Sequence, residues 1–459
     1  MTAEPTRTAS ESDRPPAVIL GVQLQGVSDE AFASSLTELE RLAETLGLRV
    51  IGRVSQKRRG FGGTTVVGEG KLRELARYTG GRGVVSGFAP PGSDADPDDE
   101  DEADLELDAQ DSEDEPERAV SVLVDQDLSP TQMRNLEKAT GVEVLDRSMV
   151  ILSIFQRHAR TREAKIQVEI ARLLYMAPRL REANAGSDRQ RGGVGGKGAG
   201  ESALELGRRA TRDRIAELRR SLVVVQREAD TQRSRRSTTS THAIALVGYT
   251  NAGKSRLMRG LTGDRMYVAD QLFATLGTTV RILVPETRPR ILISDTVGFI
   301  KDLPHDLVAS FRSTLEEARD ANLLLHVVDA SDPAFRDQYR VTREVLAEID
   351  AADHPCLVIL NKSDLLDDVQ RALLASEFPE AILMSARSAR DVARLHAQIE
   401  GFFEGSMEEE EFVIPYDQQA KVALLHERCR VVSERYEADG AHVRVRAPAS
   451  LLGGLRREL

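Results

Sequence analysis

Hydrophobic and polar positions alternate in two different periods over the first 160 residues. Apolar runs predict strands at 18–24, 49–54, 64–67, 84–88, 119–125 and 142–146. Between them, leucines at 36, 39, 42 and 46 share one face of a predicted helix at 29–46, and further helices are predicted at 71–78 and 129–140. The alternation predicts a small α/β domain over 17–158, preceded by a disordered tail at 1–16.

An acidic segment interrupts this domain at 89–118. Residues 94–117 carry fifteen Asp or Glu and no Lys or Arg, whereas the whole chain has a formal net charge of −12. The rest of the chain is therefore slightly basic. Dense like charge with four prolines predicts disorder, because too little apolar area is available to offset the cost of ordering. The alternative is an acidic segment that mimics nucleic acid.

The pattern changes to long helices over 159–238. Ile166, Ile170 and Leu173 share one helix face, and a coiled-coil seam is formed by Ile215, Leu218, Leu222 and Val225. A glycine-rich loop at 192–200 lies between the two patterns. We expect an antiparallel helical hairpin with this loop at its tip.

Arginine is concentrated in the hairpin. Two interpretations compete: a solvated helix face of mixed charge, or contact with the backbone of RNA, which the arginine excess favours. In the arginine-rich stretch at 189–236 there is no aromatic residue, so recognition would rest on backbone and shape. The basic residues are Arg189, Arg191, Lys197, Arg208, Arg209, Arg212, Arg214, Arg219, Arg220, Arg227, Arg233, Arg235 and Arg236.

Strands and helices alternate again over 242–405. Strands are predicted at 244–247, 281–285, 290–294, 323–329, 356–360 and 382–384, with helices at 305–320 and 334–349 among them. This order predicts a doubly wound, mostly parallel sheet. Residues 408–459 predict a small α/β appendage, with an acidic hinge at 408–411, strands at 412–414 and 441–446, and a helix at 418–434.

A phosphate-binding loop follows the strand at 244–247. It reads G-x-x-x-x-G-K-S and leads into a helix, which is the context that this motif requires. Backbone N–H groups at the helix start would face phosphate oxygens, the lysine would reach the β- and γ-phosphates, and the serine hydroxyl would bind Mg²⁺. The residues are Gly248, Tyr249, Thr250, Asn251, Ala252, Gly253, Lys254 and Ser255.

Two further segments are predicted to contact the γ-phosphate and Mg²⁺. The first is Phe273, Ala274, Thr275, Leu276 and Gly277, in which Thr275 would bind Mg²⁺ through its hydroxyl; Thr278 and Thr279 are rivals for that role. The second is Asp295, Thr296, Val297 and Gly298, at the end of a strand. There Asp295 would hold Mg²⁺ through water, and the Gly298 N–H would meet the γ-phosphate.

Two more segments are predicted to bind a guanine base. The first is Asn361, Lys362, Ser363 and Asp364, and the second is Ser385, Ala386 and Arg387. The carboxylate of Asp364 can accept both the N1 and N2 hydrogens of guanine, a donor pair that adenine lacks. Each short motif is weak alone. Five in order at strand ends predict a GTP-binding, GTP-hydrolysing enzyme.

No catalytic side chain is certain from the sequence. Phe299 follows Gly298 at the position where Ras-like proteins place a glutamine that orients water. A phenyl ring cannot orient water, so we expect slow intrinsic hydrolysis that a partner accelerates.

The chain resembles the HflX family of translational GTPases. The likeness rests on Val66-Val-Gly-Glu-Gly-Lys-Leu-Arg-Glu-Leu75, Val144-Leu-Asp-Arg147, Gly248-Tyr-Thr-Asn-Ala-Gly-Lys-Ser255, Leu272-Phe-Ala-Thr-Leu276 and Asp295-Thr-Val-Gly-Phe-Ile300. The resemblance implies that Thr275 is the switch I threonine and that ATP is used as well as GTP. It also implies binding to the large ribosomal subunit and its RNA, with a role in ribosome splitting, rescue or dormancy control. The alternative is a nucleotide-dependent RNA-remodelling or RNA-binding module.

The chain departs from the family pattern in two loops. Gly198-Ala-Gly replaces the usual Gly-Pro-Gly at the hairpin tip, and Gly277-Thr278 replaces Asp-Pro after Leu276. Both changes remove a proline, so both loops are expected to be looser.

Composition adds little about location. Two cysteines, Cys356 and Cys429, are too few for a disulfide framework and are expected to be small buried residues in a reducing compartment. Neither a signal peptide nor a membrane span is predicted. We expect a cytoplasmic monomer.

Overall fold

The computed structural model describes residues 14–61, 64–85, 117–188, 203–237, 242–263, 272–273, 279–301 and 317–458. It divides into two compact units. One contains Met1–Arg157 and Val168–Leu218, and the other contains His158–Gln167 and Arg219–Leu459. The domain boundaries given above stay a prediction.

The first unit contains a parallel four-stranded sheet of order β2-β1-β3-β4. The strands are β1 (Pro16–Leu24), β2 (Arg49–Arg58), β3 (Ser121–Val124) and β4 (Glu143–Asp146), and the helices are α1 (Asp29–Thr45), α2 (Glu69–Thr79) and α3 (Pro130–Thr140). Ser129 begins α3 with a capping box to Gln132, and Gly141 ends it in the left-handed region. The predicted alternation of strands and helices is confirmed here.

One strand predicted in this unit is wrong, another is described only in part, and one helix was not predicted. Residues 64–67 form bends and no strand: Val66 has a φ of +71° and is fully buried. Val66 and Val67 are apolar because this turn inserts both side chains into the core. Val84 lies in an exposed bend and Val85 belongs to no strand, whereas residues 86–88 of the strand predicted at 84–88 lie outside the described residues. The apolar run at 149–155 belongs to an unpredicted helix, α4 (Arg147–His158).

Ion pairs are buried where β3 and β4 end. The guanidinium of Arg147 is 2 % exposed and contacts the carboxylates of Asp125, at 2.8 Å, and Glu38. Beside it, Asp146 is fully buried and accepts hydrogen bonds from Tyr175 and Arg179 of the next long helix. Buried charges of this kind persist only when they are paired.

Two long helices follow, α5 (Arg162–Asp188) and α6 (Ala203–Ser237). On α6, Ile215 and Leu218 are buried and Leu222 and Val225 are half-buried, as the predicted seam requires. An ion pair of 2.8 Å joins Arg214 to Glu169 of α5. The predicted glycine-rich tip at 192–200 lies outside the described residues.

The second unit contains a six-stranded sheet of order β10-β9-β8-β5-β7-β6. Its strands are β5 (His242–Val247), β6 (Thr279–Ile282), β7 (Ile291–Asp295), β8 (Leu323–Asp329), β9 (Cys356–Asn361) and β10 (Ile382–Leu383). β6 is antiparallel to β7, and every other neighbouring pair is parallel. The helices are α7 (Lys254–Thr262), α8 (Phe335–Glu348), α9 (Asp368–Glu377) and α10 (Ala389–Glu404).

This arrangement confirms the predicted doubly wound, mostly parallel sheet. Ile244, Leu246, Ile293, Leu325 and Ile359 form its buried centre. The carboxyl ends of parallel strands meet at one edge, so the segments after β5, β7 and β9 are brought together there. Of the helix predicted at 305–320, only residues 317–320 are described: 317–319 are helical and Asp320 is in a turn.

A three-stranded antiparallel sheet of order β11-β13-β12 completes the chain. It contains β11 (Glu408–Ile414), β12 (Arg430–Glu437) and β13 (Gly440–Ala447), with α11 (Gln419–Arg428) and α12 (Ala449–Glu458). The acidic hinge predicted at 408–411 is wrong, because these residues are paired along β13. The helix predicted at 418–434 is also too long: the chain becomes extended at Cys429, and the residues after it form β12.

None of the helices in the described part of the chain combines the length and apolar composition that crossing a bilayer requires.

Candidate nucleotide-binding site

The loop from Gly248 to Ser255 lies between β5 and α7 and has a backbone that glycine alone can adopt at its two ends. A Cβ on Gly248 would lie 2.1 Å from the carbonyl oxygen of Val327, and Gly253 has a φ of +97°. Asn251 is also left-handed, with a φ of +59°. The loop is therefore a tight turn that ends at the first N–H groups of a helix, a geometry suited to binding anions.

Lys254 is the charged centre of this loop. Its Nζ donates to the carbonyl oxygens of Gly248, at 2.9 Å, and Tyr249, at 2.8 Å. Burial lowers the pKa of Lys254 to about 8, and the nearby carboxylate of Asp295 opposes this shift. An ammonium desolvated in this way gains strongly from a negatively charged ligand.

Ser255 and Asp295 form the edge of the loop. The hydroxyl of Ser255 donates to Oδ2 of Asp295 at 2.8 Å, and Asp295 is 2 % exposed at the end of β7. Two oxygen ligands are thus adjacent, and oxygen is the donor that Mg²⁺ prefers.

The segment after β7 is pinned to the loop. Thr250 N donates to Phe299 O at 2.7 Å, and Phe299 N donates to Gly248 O at 3.1 Å. Thr296 is fully buried and donates to Leu246 O, and Val297 is 6 % exposed. The ring of Phe299 is 2 % exposed, so it lies in the core and does not face water.

The backbone of Gly298 lies against Thr250 and Lys254 of the phosphate-binding loop. A Cβ added to it would be 2.9 Å from Cα of Thr250 and 3.0 Å from Nζ of Lys254. The absence of a side chain therefore lets this backbone approach the phosphate-binding loop.

The segment after α7 is described only in part. Phe273 is 3 % exposed with a φ of +55°, whereas Ala274, Thr275, Leu276 and Gly277 lie outside the described residues, as does Thr278. Thr279 begins β6, where it is paired with Asp295. The role of Thr275 stays a prediction.

Asn361 connects the two predicted halves of the site. At the end of β9, its Nδ2 donates to Ala252 O at 2.8 Å, and its Oδ1 accepts from Ala386 N at 2.9 Å. One amide therefore holds the phosphate-binding loop and the last predicted segment together. The adjacent Lys362 has a φ of +63° and an ion pair of 2.6 Å with Asp329, a residue that the sequence reading did not select.

Asp364 lies beside the last predicted segment, in a short 3₁₀ turn that begins at Ser363. The Ser385 hydroxyl donates to its Oδ1 at 2.6 Å, and Arg387 lies 3.5 Å from Oδ2. The hydrogen bond from Ser385 lowers the pKa of Asp364, so the carboxylate is charged at neutral pH. Asp391, also unpredicted, fixes Ser385 by accepting from its N–H at 3.1 Å. This contact is local, because Asp391 lies in the first turn of the helix that follows Ser385.

A doubly wound sheet with a phosphate-binding loop, a carboxylate at the end of β7 and an Asn-Lys-x-Asp turn after β9 defines a P-loop GTPase. Residues 243–362 match the family described as 50S ribosome-binding GTPase. Residues 158–236 match the GTP-binding GTPase middle region, and residues 33–85 and 108–156 match the GTP-binding GTPase N-terminal region.

Relatives named GTPase HflX align with 70% to 97% of this chain. The one from Gluconacetobacter diazotrophicus is 53% identical over 97% of this chain and 98% of its own length. The one from Escherichia coli is 39% identical over 71% of this chain and 78% of its own length. The chain belongs to the HflX family of GTPases: it binds GTP and hydrolyses it.

Among solved structures, the chain is similar to a GTP-binding protein from Sulfolobus solfataricus in complex with GDP. The identity is 21% and the TM-score 0.43, covering 84% of this chain and 99% of that one.

Proposed function

We propose that this GTPase acts on the large ribosomal subunit in the cytoplasm and serves in ribosome splitting, rescue or dormancy control. The observation that carries the proposal is the match of residues 243–362 to a family described as ribosome-binding, within a chain related end to end to HflX proteins. GTP binding would then favour the form that associates with the subunit.

The surface of α6 supports contact with ribosomal RNA. Between 206 and 228 it carries seven exposed arginines against three acidic residues. Contacts of this kind attract a phosphate backbone without reading its sequence. The arginines are Arg208, Arg209, Arg212, Arg214, Arg219, Arg220 and Arg227.

The nucleotide would be bound from both sides of the site. The N–H groups at the start of α7 and the ammonium of Lys254 would hold the phosphates, and Asp364 would accept the two guanine hydrogens. ATP would leave that carboxylate without its donor pair, so GTP is preferred, although the family resemblance implies some use of ATP.

Mg²⁺ would be held by Ser255 and Thr275, with Asp295 acting through water. The adjacent oxygens of Ser255 and Asp295 support this assignment. When bound, the ion would neutralise charge on the phosphate oxygens. The protein itself supplies the ammonium of Lys254 and the closely approaching backbone of Gly298.

Hydrolysis would be slow without the ribosome. Phe299 is buried and pinned by two backbone hydrogen bonds, so it offers no group that orients the attacking water. The ribosome would supply or position that group, as a partner does for other GTPases.

The decisive experiment measures GTP turnover of the full chain alone, with large subunits, with small subunits and with protein-free RNA. The proposal predicts strong stimulation by large subunits only. Stimulation by RNA alone, with none by large subunits, would instead establish the RNA-remodelling function that the arginines of α6 also favour. Replacing Arg212 and Arg219 by glutamine should weaken subunit binding and reduce its dependence on salt.

A further inference from the structure

A cleft in the second unit lies between the nucleotide-binding sheet and the C-terminal sheet. Its volume is about 1190 Å³. The β6–β7 turn and the end of α10 line one side, and β12 and α11 line the other. It lies at the start of β7, whereas the nucleotide site is at the end of that strand. The cleft is therefore a separate site.

The charge of the cleft is negative. Five glutamates line it against two arginines. Both arginines already have partners within the protein: Arg288 donates to the carbonyl oxygens of His426 and Glu427, at 2.8 and 3.0 Å, and Arg430 is paired with Glu404. Glu404 and Glu286 are paired in turn, with Arg430 and Arg290, so Glu400, Glu427 and Glu434 supply the excess of carboxylate. This excess attracts a cationic ligand and repels a phosphate.

Two tyrosines form an aromatic wall at the cleft. The rings of Tyr416 and Tyr436 are nearly parallel, with an interplanar angle of 9° and centroids 6.4 Å apart. They remain 48% and 66% exposed. Each ring is nevertheless fixed by its hydroxyl, because Tyr416 donates to Glu437 O at 2.6 Å and Tyr436 donates to the carboxylate of Glu434.

Glu434 combines the two features. Its carboxylate accepts from Tyr436 and lies 2.8 Å from Nε2 of His426. A charged carboxylate is thus held at the edge of an exposed ring whose hydroxyl it binds. Planar cations bind such an arrangement well, since the guanidinium of arginine stacks on aromatic faces while donating to carboxylates.

We propose that this cleft, defined by Tyr416, Tyr436 and Glu434, binds an arginine-bearing basic segment of a partner protein. Charge complementarity selects a basic peptide, and the fixed tyrosine pair selects arginine. The proposal is independent of the proposed ribosomal role, because it concerns a different face of the second unit.

The test uses the full chain and a short fluorescein-labelled peptide of glycine, serine and arginine. Its control is the same peptide with every arginine replaced by citrulline, which keeps the shape and removes the charge. Fluorescence anisotropy should show binding of the arginine peptide only. Binding should weaken with salt, since part of the attraction is screened.

Variants locate the binding. Tyr436→Ala should weaken it about fivefold or more, whereas Tyr436→Phe, which keeps the ring, should stay within about twofold of the parent. Glu434→Gln should weaken it about threefold. GTP turnover of all three should match that of the parent, which shows that the protein is folded. Hydrogen exchange should slow over residues 415–437 when the arginine peptide is added.

Three results would overturn the proposal. The first is equal binding of the citrulline peptide. The second is arginine-peptide binding that none of the three substitutions changes, which would place the peptide elsewhere, for example on the acidic residues at 94–117. The third is tighter binding of a labelled single-stranded RNA than of the arginine peptide, with loss in Tyr436→Ala, which would make the tyrosines a base-stacking surface.

Discussion

Asn361 lies next to Gly253, although Asn361 ends β9, Gly253 follows β5, and β8 lies between these two strands. A Cβ on Gly253 would lie 2.3 Å from Nδ2 of Asn361, the atom that donates to Ala252 O. Glycine is therefore required at position 253 for two reasons: the φ of +97° disfavours other residues, and the amide of Asn361 occupies the space of a side chain. The phosphate-binding and base-binding halves of the site meet at this contact.

Gly253→Ala should consequently uncouple the two halves. We expect a loss of about 1–3 kcal/mol of stability from backbone strain, and GTP affinity reduced at least about tenfold. Urea unfolding and binding of a fluorescent GTP analogue measure the two effects. Gly401→Ala is the matched control, since its Cβ meets nothing within 4 Å on α10. Retained GTP affinity in Gly253→Ala would show that the contact is dispensable.

Asp364→Asn should change which base the site accepts. The lost carboxylate leaves guanine without its acceptor pair, and the new amide can donate to the oxygen at position 2 of xanthine. We expect GTP affinity to fall about 10–100-fold and xanthosine triphosphate affinity to rise. Competition binding with both nucleotides measures the change. Asp368→Asn, at a side chain that is 97% exposed, should alter neither affinity.

Lys254→Met should stabilise the nucleotide-free protein while abolishing tight GTP binding. Burial lowers the pKa of Lys254 from 10.5 to about 8. Below pH 8 the folded protein holds the unfavourable charge, so the variant should be more stable by up to about 3 kcal/mol. Between pH 8 and 10.5 the unfolded parent binds more protons than the folded one, so parental stability rises and the gap narrows.

Urea unfolding of the parent and of Lys254→Met between pH 7 and 10.5 measures the difference in their free energies of unfolding. Lys165→Met, at an exposed lysine, should show no pH-dependent difference from the parent. A variant less stable than the parent at pH 7 would mean that the two carbonyl hydrogen bonds of Lys254 outweigh its desolvation.

Arg147→Met should strongly destabilise the first unit. It leaves Asp125, 6 % exposed, as a buried charge without its guanidinium, at a cost of about 3–5 kcal/mol. Adding Asp125→Asn should recover part of that loss. Arg73→Met, which breaks an exposed pair with Glu69, should cost less than about 1 kcal/mol. Chemical unfolding of the parent, the two single variants and the double variant measures these free energies. A small effect of Arg147→Met alone would contradict the prediction.

The sequence predicts the structure best where one side chain fills a role that few others can. The glycines of the phosphate-binding loop are required by local backbone geometry, and the central strands of the nucleotide-binding sheet are buried apolar runs. Both signals are local.

Prediction from the sequence fails where the local preference of a segment differs from the secondary structure that its tertiary partners impose. Residues 430–434 continue the charged pattern of a surface helix, yet they form an edge strand because β13 offers a partner and Cys429 leaves the helical region. The acidic run at 408–411 is strand for the same reason, with Arg444 and Arg446 of β13 opposite Glu411 and Glu409.

By itself, the sequence determined the class of fold, the phosphate-binding loop and the base-binding motifs, because each depends on residues close together in the chain. Only the tertiary structure decided that Asn361 joins the two halves of the site, that Asp329 pairs with Lys362 beside it, and that Tyr416 and Tyr436 share an acidic cleft. These relationships join residues up to 109 positions apart. Such contacts depend on how strands and helices pack, which spacing along the chain does not encode.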